Sequence, residues 1–259
     1  MTTYLDKIVS EKKLFLEKIK KEISLEELMD ASLEMPVCRN LKEALSQKTP
    51  SIIAEIKFHS PSKGILLPYS PPAEIGIEYE KNGAAAISVL TDTPFFGGEN
   101  IFLTQVKKNV SIPVLRKDFI IDPWQIYESK KIGADAILLI VAALGETQLS
   151  EFLYLADSLG LSVLTEVHTI KEANSATKVG AKIIGINNRD LLTFTTNIET
   201  SISIRKSIPE NKIVVSESGI NSYVDIQRLM AKAISSFLIG ESIITSPNKG
   251  AKIQELLGK

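Results

Sequence analysis

The stretch "NGAAAISVL" (residues 82–90) decides the fold. It closes a helix on Gly83, passes through small residues and enters an apolar run. A Gly just past a helix is a C-cap signal. The run that follows is too continuous to alternate, as expected of a strand covered on both faces. The same grammar returns in "IGADAILLI" (132–140), "LGLSVLTEV" (159–167) and "VGAKIIGIN" (179–187). Fifty residues separate Gly83 from Gly133, which suits two βα units in succession. Eight apolar runs can be counted, at 52–57, 86–90, 112–116, 134–140, 161–166, 182–187, 212–216 and 235–239. Amphipathic segments such as 71–82, 123–132, 147–159 and 221–232 lie between them. Strands alternating with helices predict a parallel sheet closed into a (β/α)8 barrel. An open doubly wound sheet is the alternative, but no dinucleotide fingerprint follows the first strand.

Residues 1–48 differ from the rest and are expected to form a helical segment added to one barrel domain spanning 1–259. Leu5, Ile8, Val9, Leu14, Leu16 and Ile19 recur at helical spacing there. The lysines and glutamates between them read as solvated faces. With 30 basic and 31 acidic residues, the net charge of −1 supplies no global field for nucleic acid or an anionic membrane. The single Cys38 excludes an intramolecular disulfide and a cysteine-rich zinc site, and reads as a small buried hydrophobe. The N-terminus is too charged for a secretory signal, and no apolar run approaches membrane-spanning length. These features predict a soluble cytoplasmic protein.

A barrel gathers the C-terminal ends of its strands around one mouth, where active sites lie. Here those ends carry charge. "IIAEIKFHSPSKG" (52–64) places Glu55 and Lys57 two apart on a strand, so both face the interior and need partners there. Later runs end in Arg116, Lys117 and Asp118; in Glu166, then His168; in Asn187, Asn188, Arg189 and Asp190; and in Glu217. Two lysines, three glutamates and an asparagine would titrate as a coupled network. One ion pair at a strand end is commonly structural; six such residues on five strands point to a site. Ser218 and Gly219 after the seventh run, and Gly240 and Glu241 after the eighth, stand where barrels bind phosphate, with 241–246 as a short extra helix. Ser60, Ser62 and Lys63 could add to this or form a plain turn. His59 and His168 have no metal-motif partner and read as ordinary loop residues. Trp124 and Phe95 read as packing, as does Phe96, although Phe96 could reach the mouth.

Six ordered motifs, "IIAEIKFHSPSKG", "PVLRKDFIID", "LTEVH", "GINNRDLLTF", "VSESGI" and "LIGES", resemble those of indole-3-glycerol-phosphate synthases across residues 52–242. The N-terminal "YLDKIVSEKK" resembles that family's extra helical segment. The resemblance implies ring closure, decarboxylation and dehydration of 1-(2-carboxyphenylamino)-1-deoxyribulose 5-phosphate, a step of tryptophan biosynthesis. It implies Lys117 as general acid, Glu166 as general base, and Lys57 as a substrate contact that shares the acid role. Glu55, Asn187 and Glu217 would orient these groups. Ser218, Gly219, Gly240 and the Glu241 backbone match the phosphate site, with Lys57 near it, and Arg189 a residue near the anthranilate carboxylate. Phe96, Phe119, Leu138 and Leu191, with Pro61, match the slot for the aromatic ring. Ser60, Ser62 and Leu238 join the substrate-binding set. Two departures are Glu241, where some relatives carry Ser, and Trp124, where another aromatic is common. No cofactor, metal, nucleic acid or membrane is implied, and a monomer is expected. The alternatives are a Schiff-base aldolase, a phosphoribosylanthranilate isomerase, and an inactive barrel that only binds a sugar phosphate.

Overall fold

The computed structural model describes residues 3–190 and 193–259. Eight parallel strands close into a barrel: β1 (Ser51–Ile56), β2 (Ala86–Leu90), β3 (Val114–Lys117), β4 (Ala136–Ile140), β5 (Ser162–Val167), β6 (Ile183–Asn187), β7 (Ile213–Glu217) and β8 (Ser236–Ile239). Each pairs with its neighbours in sequence, and β1 closes the ring against β8. Helices α4 (Pro72–Lys81), α6 (Asn100–Asn109), α7 (Pro123–Lys131), α8 (Glu146–Ser158), α9 (Ile170–Lys178), α10 (Glu199–Arg205), α11 (Tyr223–Met230) and α13 (Lys249–Leu256) connect the strands or close the ring. Short α5 (Thr93–Phe96) and α12 (Glu241–Ile244) lie just past β2 and β8. The strands fall within two residues of the expected bounds, and the capping glycines Gly83, Gly133, Gly160 and Gly180 all have left-handed φ, from 72° to 99°.

Side-chain parity builds the interior. Ile53, Leu115, Leu138, Leu164, Ile183, Val215 and Leu238 meet inside the barrel as one apolar cluster. The residues between them pack outward, in a second cluster shared with the helices. Two positions further along the inward set come Glu55, Lys117, Ile140, Glu166, Gly185, Glu217 and Gly240. The inward face therefore changes from an apolar floor to a charged rim within one step of the pleat.

Three helices precede β1: α1 (Tyr4–Glu22), α2 (Leu25–Leu33) and α3 (Leu41–Ser46). Capping boxes start the first two, Thr3 with Asp6 and Ser24 with Glu27. They close both ends of the barrel. Leu41 and Leu45 of α3 join the interior cluster, and the Leu41 amide donates to Ser162 Oγ at the start of β5 (3.2 Å). Tyr4, Leu5 and Ile8 of α1 lie instead at the mouth.

The buried stripe of α1 is Leu5, Ile8, Lys12 and Leu16. Two readings of this segment are corrected. Leu14 is 54% exposed, because it points away from that stripe. Lys12 is buried, because it falls one turn from both Ile8 and Leu16 and meets two carboxylates there. Trp124 packs with Leu16 and Leu28, and its Nε1 donates to the Ile23 carbonyl (3.0 Å). Cys38 is half-buried, with its Sγ 3.1 Å from Lys130 Nζ. Among the described residues no helix is long and apolar enough to cross a membrane.

Candidate active site

The strand ends surround a cavity of about 640 Å³. At its base Lys117 Nζ, 14% exposed at the side chain, lies 2.8 Å from Glu166 Oε2 and 3.4 Å from Glu217 Oε2. β-sheet register explains the meeting: Asn187 is paired with Glu217, and Glu166 with Gly185. Asn187 Nδ2 donates to Glu166 Oε1 (3.3 Å), and its Oδ1 accepts the Arg189 amide (3.0 Å). Lys57 Nζ pairs with Glu55 Oε1 at 2.9 Å.

Two glycines make room for the carboxylates. A Cβ at Gly185 would stand 2.0 Å from Glu217 Oε1, and one at Gly240 would stand 2.6 Å from Glu55 Oε1. Neither Glu217 oxygen has a hydrogen bond among the described residues, although the side chain is 1% exposed.

These distances set the charges. Burial would lower the Lys117 pKa, but Glu166, Glu217 and Glu55 together raise it, so the ammonium persists. Burial would raise Glu166, yet Lys117 and His168 bring it down to about 2. Burial pushes Glu217 up to about 7; Glu166 and Glu55 add to the rise while Lys117 opposes it. The cluster thus holds a fixed cation, a fixed carboxylate and a carboxyl that changes state near neutrality.

One wall of the cavity is apolar: Phe96, Phe119, Leu138, Leu238 and Pro61, with Ile8 and Leu5 from α1. The Phe96 and Phe119 rings are 5.9 Å apart and tilted by 31°. The loops after β7 and β8 form another side. Ser218 and Gly219 are both left-handed, at φ 68° and 76°. That conformation is strained for a serine. Asn188 holds it, donating to the Ser218 carbonyl (3.0 Å) and to Ser216 Oγ (2.9 Å). Ser242 Oγ donates to the Ile220 carbonyl (3.0 Å) and ties the two loops together. The Glu241 carboxylate pairs at the cavity's edge with Lys63 (2.5 Å) and lies 3.8 Å from Arg189, and all three residues border the cavity.

All the residues expected in the site border this cavity, including Ser60, Ser62, Arg189, Gly240 and Glu241; Leu191 alone lies outside the described residues. Of the three charges ending β3, only Lys117 joins the inner cluster; Arg116 and Asp118 are buried and pair with each other, with Asp118 also bordering the cavity. His168 corrects its reading as an ordinary loop residue: Nε2 is 3.5 Å from Glu166 Oε1 and Nδ1 is 3.7 Å from Glu172 Oε2. Burial opposes its protonation, but Glu172, Glu166 and Glu217 raise its pKa. Its place two residues beyond Glu166, just past the end of β5, was the available signal. The contributions of Tyr4, Leu5, Ile8, Phe194 and Thr196 were missed, since no local pattern shows which segments cross the mouth. Among the described residues no group of three His, Cys, Asp or Glu could hold a metal ion.

Solved structures with the same barrel include a 3-hexulose-6-phosphate synthase, at TM-score 0.64 and 14% identity, covering 80% of this chain and 98% of that one. A mutant tryptophan synthase α-subunit from Pyrococcus furiosus gives 0.63 and 14%, over 82% and 99%. At such identities the likeness is one of fold. A curated relative from Chloroherpeton thalassium, an indole-3-glycerol phosphate synthase, is 46% identical over 253 residues, spanning 96% of this chain and 97% of that protein. The family model described as indole-3-glycerol phosphate synthase matches residues 5–256, which take in α1 as well as all eight strands. The chain therefore belongs to the indole-3-glycerol phosphate synthase family.

Proposed function

We propose that the protein converts 1-(2-carboxyphenylamino)-1-deoxyribulose 5-phosphate to indole-3-glycerol phosphate in tryptophan biosynthesis. The carrying observation is the placement of the Lys117 ammonium against Glu166 and Glu217 at 2.8 and 3.4 Å, between an aromatic slot and a glycine-rich rim. Phe96, Phe119, Leu138, Leu238 and Pro61 take the ring, and Arg189 its carboxylate. The backbone at Ser218, Gly219, Gly240 and Glu241 takes the phosphate, with Lys57, Ser60 and Ser62 on the near side.

Ring closure is attack of the carboxyl-bearing ring carbon on the ketone. The C–O π pair moves onto the ketone oxygen, where an ammonium both stabilises charge and gives a proton. Lys117 suits this, because its neighbours keep it protonated until an alkoxide forms. Carbon dioxide then leaves, its bonding pair restoring the aromatic ring. The new hydroxyl departs as water once an acid protonates it and a base removes a proton from the five-membered ring. Glu166, ionised down to about pH 2, is that base. Asn187 and His168 hold its second oxygen. Lys57 shares the acid role, oriented by Glu55. Glu217 completes the surroundings of Lys117.

The charge state of Lys117 weighs against an aldolase-type Schiff base, since a nucleophilic amine must be neutral. Incubation with the carboxyphenylamino-deoxyribulose phosphate tests the reading. Indole fluorescence should rise together with carbon dioxide release. A borohydride-trapped adduct on Lys117 or Lys57 without indole would replace it with the aldolase reading.

A further inference from the structure

The N-terminal helix reaches further into this site than its apolar wall. Lys12 follows Ile8 by one turn on α1, and its ammonium bridges Asp92 and Asp118 at 2.8 Å each. Both carboxylates are buried. Each also holds one ring of the aromatic slot. Asp92 Oδ1 accepts the Phe95 amide (3.0 Å) and so caps α5, whose last residue is Phe96. Asp118 Oδ1 accepts the Phe119 amide (2.8 Å). Arg116 also pairs with Asp118, at 3.1 Å, but Asp92 has no cation other than Lys12 among the described residues. Two buried carboxylates without their shared counter-charge would repel and separate. The phosphate rim on β7 and β8 is separated from β2 by β1, and none of the contacts that Lys12, Asp92 and Asp118 make reaches its residues Ser218, Gly219, Gly240 and Glu241.

We infer that Lys12 is a positioning residue: through Asp92 and Asp118 it sets the spacing of Phe96 and Phe119, and with it the affinity for the substrate's aromatic ring but not for its phosphate. The inference deepens the reaction proposed above and takes the identity of the ring from it.

Lys12→Met keeps most of the stem and removes the charge. Steady-state kinetics, binding of indole-3-glycerol phosphate by its fluorescence, and inhibition by inorganic phosphate would be measured on it beside the parent. Loss of ring binding shared by ground and transition states should raise KM and the product Kd by about tenfold, with kcat within about threefold. Phosphate inhibition should stay within about twofold, and Lys12→Arg should recover most of the lost affinity. A merely structural role would weaken ring and phosphate binding together, and that result overturns the inference, as does unchanged KM. Should Lys12→Met not fold, Asp92→Asn carries the test. It keeps the oxygen that caps α5 and loses one ion pair, so a selective rise of about threefold in product Kd is expected, and an equal loss of phosphate binding contradicts it. A parent protein that binds product without turnover would remove the proposed reaction while both binding comparisons still decide. A parent that binds no product overturns both.

Discussion

Two charged clusters lie back to back on β3, and they are built differently. Lys117 faces the barrel; Arg116, its neighbour in sequence, faces outward beneath the helices and pairs with Asp118. The outer cluster is saturated. Arg116 donates to Thr91, Gln125, Ser129 and Asn100 and pairs with Asp118 and Glu128, while Asp118 also receives Lys12, Thr91 and the Phe119 amide. Burial works against the Asp118 carboxylate, yet Lys12 and Arg116 hold its pKa at about 2. In the inner cluster Glu217 has no hydrogen bond among the described residues, and Lys117 opens on a cavity. A saturated buried network costs little to keep and much to break. An unsaturated one keeps donor and acceptor capacity for something that is not protein. Strain and unmet polarity gather where substrate is handled, and structural charge gathers one residue away.

Exchanging the two neighbours should separate these roles most sharply. Lys117→Ala should lower kcat by about 10³-fold or more while KM stays within about tenfold. Near-normal turnover would take the acid role from Lys117. Arg116→Met should do the converse, since it removes the buried cation shared by Asp118 and Glu128 and leaves Asp118 with Lys12 as its one ion-pair partner among the described residues. A loss of about 3–5 kcal/mol in denaturant unfolding is expected, with kcat in the remaining folded fraction little changed. Full stability in that variant would contradict the structural role.

Glu217→Gln sharpens the contrast through pH. Folded Glu217 keeps its proton up to about pH 7, whereas its ordinary value is 4.5. The stability this brings is complete below about pH 4.5 and is lost as pH rises through about 7. Glutamine does not titrate, so the stability difference should shift towards the variant by roughly 1–3 kcal/mol over that window. Parallel stability–pH curves for the two proteins would refute the raised pKa. The smallest expected effect is at Gly185, where an added methyl meets Glu217 Oε1 at 2.0 Å and must displace the carboxylate. Gly185→Ala should cost about tenfold in kcat with little change in KM. Unaltered kcat would mean that the position of Glu217 is immaterial.

The barrel was legible because its strands are covered on both faces and its helices end on glycine, two signals that stay within a few residues of each other. Parity along a strand likewise led from Ile53 to Glu55 and Lys57, and from Leu164 to Glu166. Lys12 was not legible. In sequence it is one lysine in a charged run; the carboxylates that bury it are 80 and 106 residues further along the chain. His168 carries no metal motif, and its role shows only in its place two residues beyond Glu166. The wall made by Tyr4, Leu5 and Ile8 depends on how α1 crosses the mouth, a matter of packing between distant segments.

The central claim is that the inner cluster divides the chemistry, with Lys117 giving protons and Glu166 removing one. Single-turnover mixing of Glu166→Gln with substrate tests it most directly. The amide keeps the size of the carboxylate and its bond from Asn187, but it cannot accept a proton. Ring closure and decarboxylation should proceed with Lys117 and Lys57 in place. Carbon dioxide should therefore appear first, and indole fluorescence should lag by about 10²-fold or more, the usual worth of a general base. Carbon dioxide and indole rising together at the parent rate would contradict the assignment.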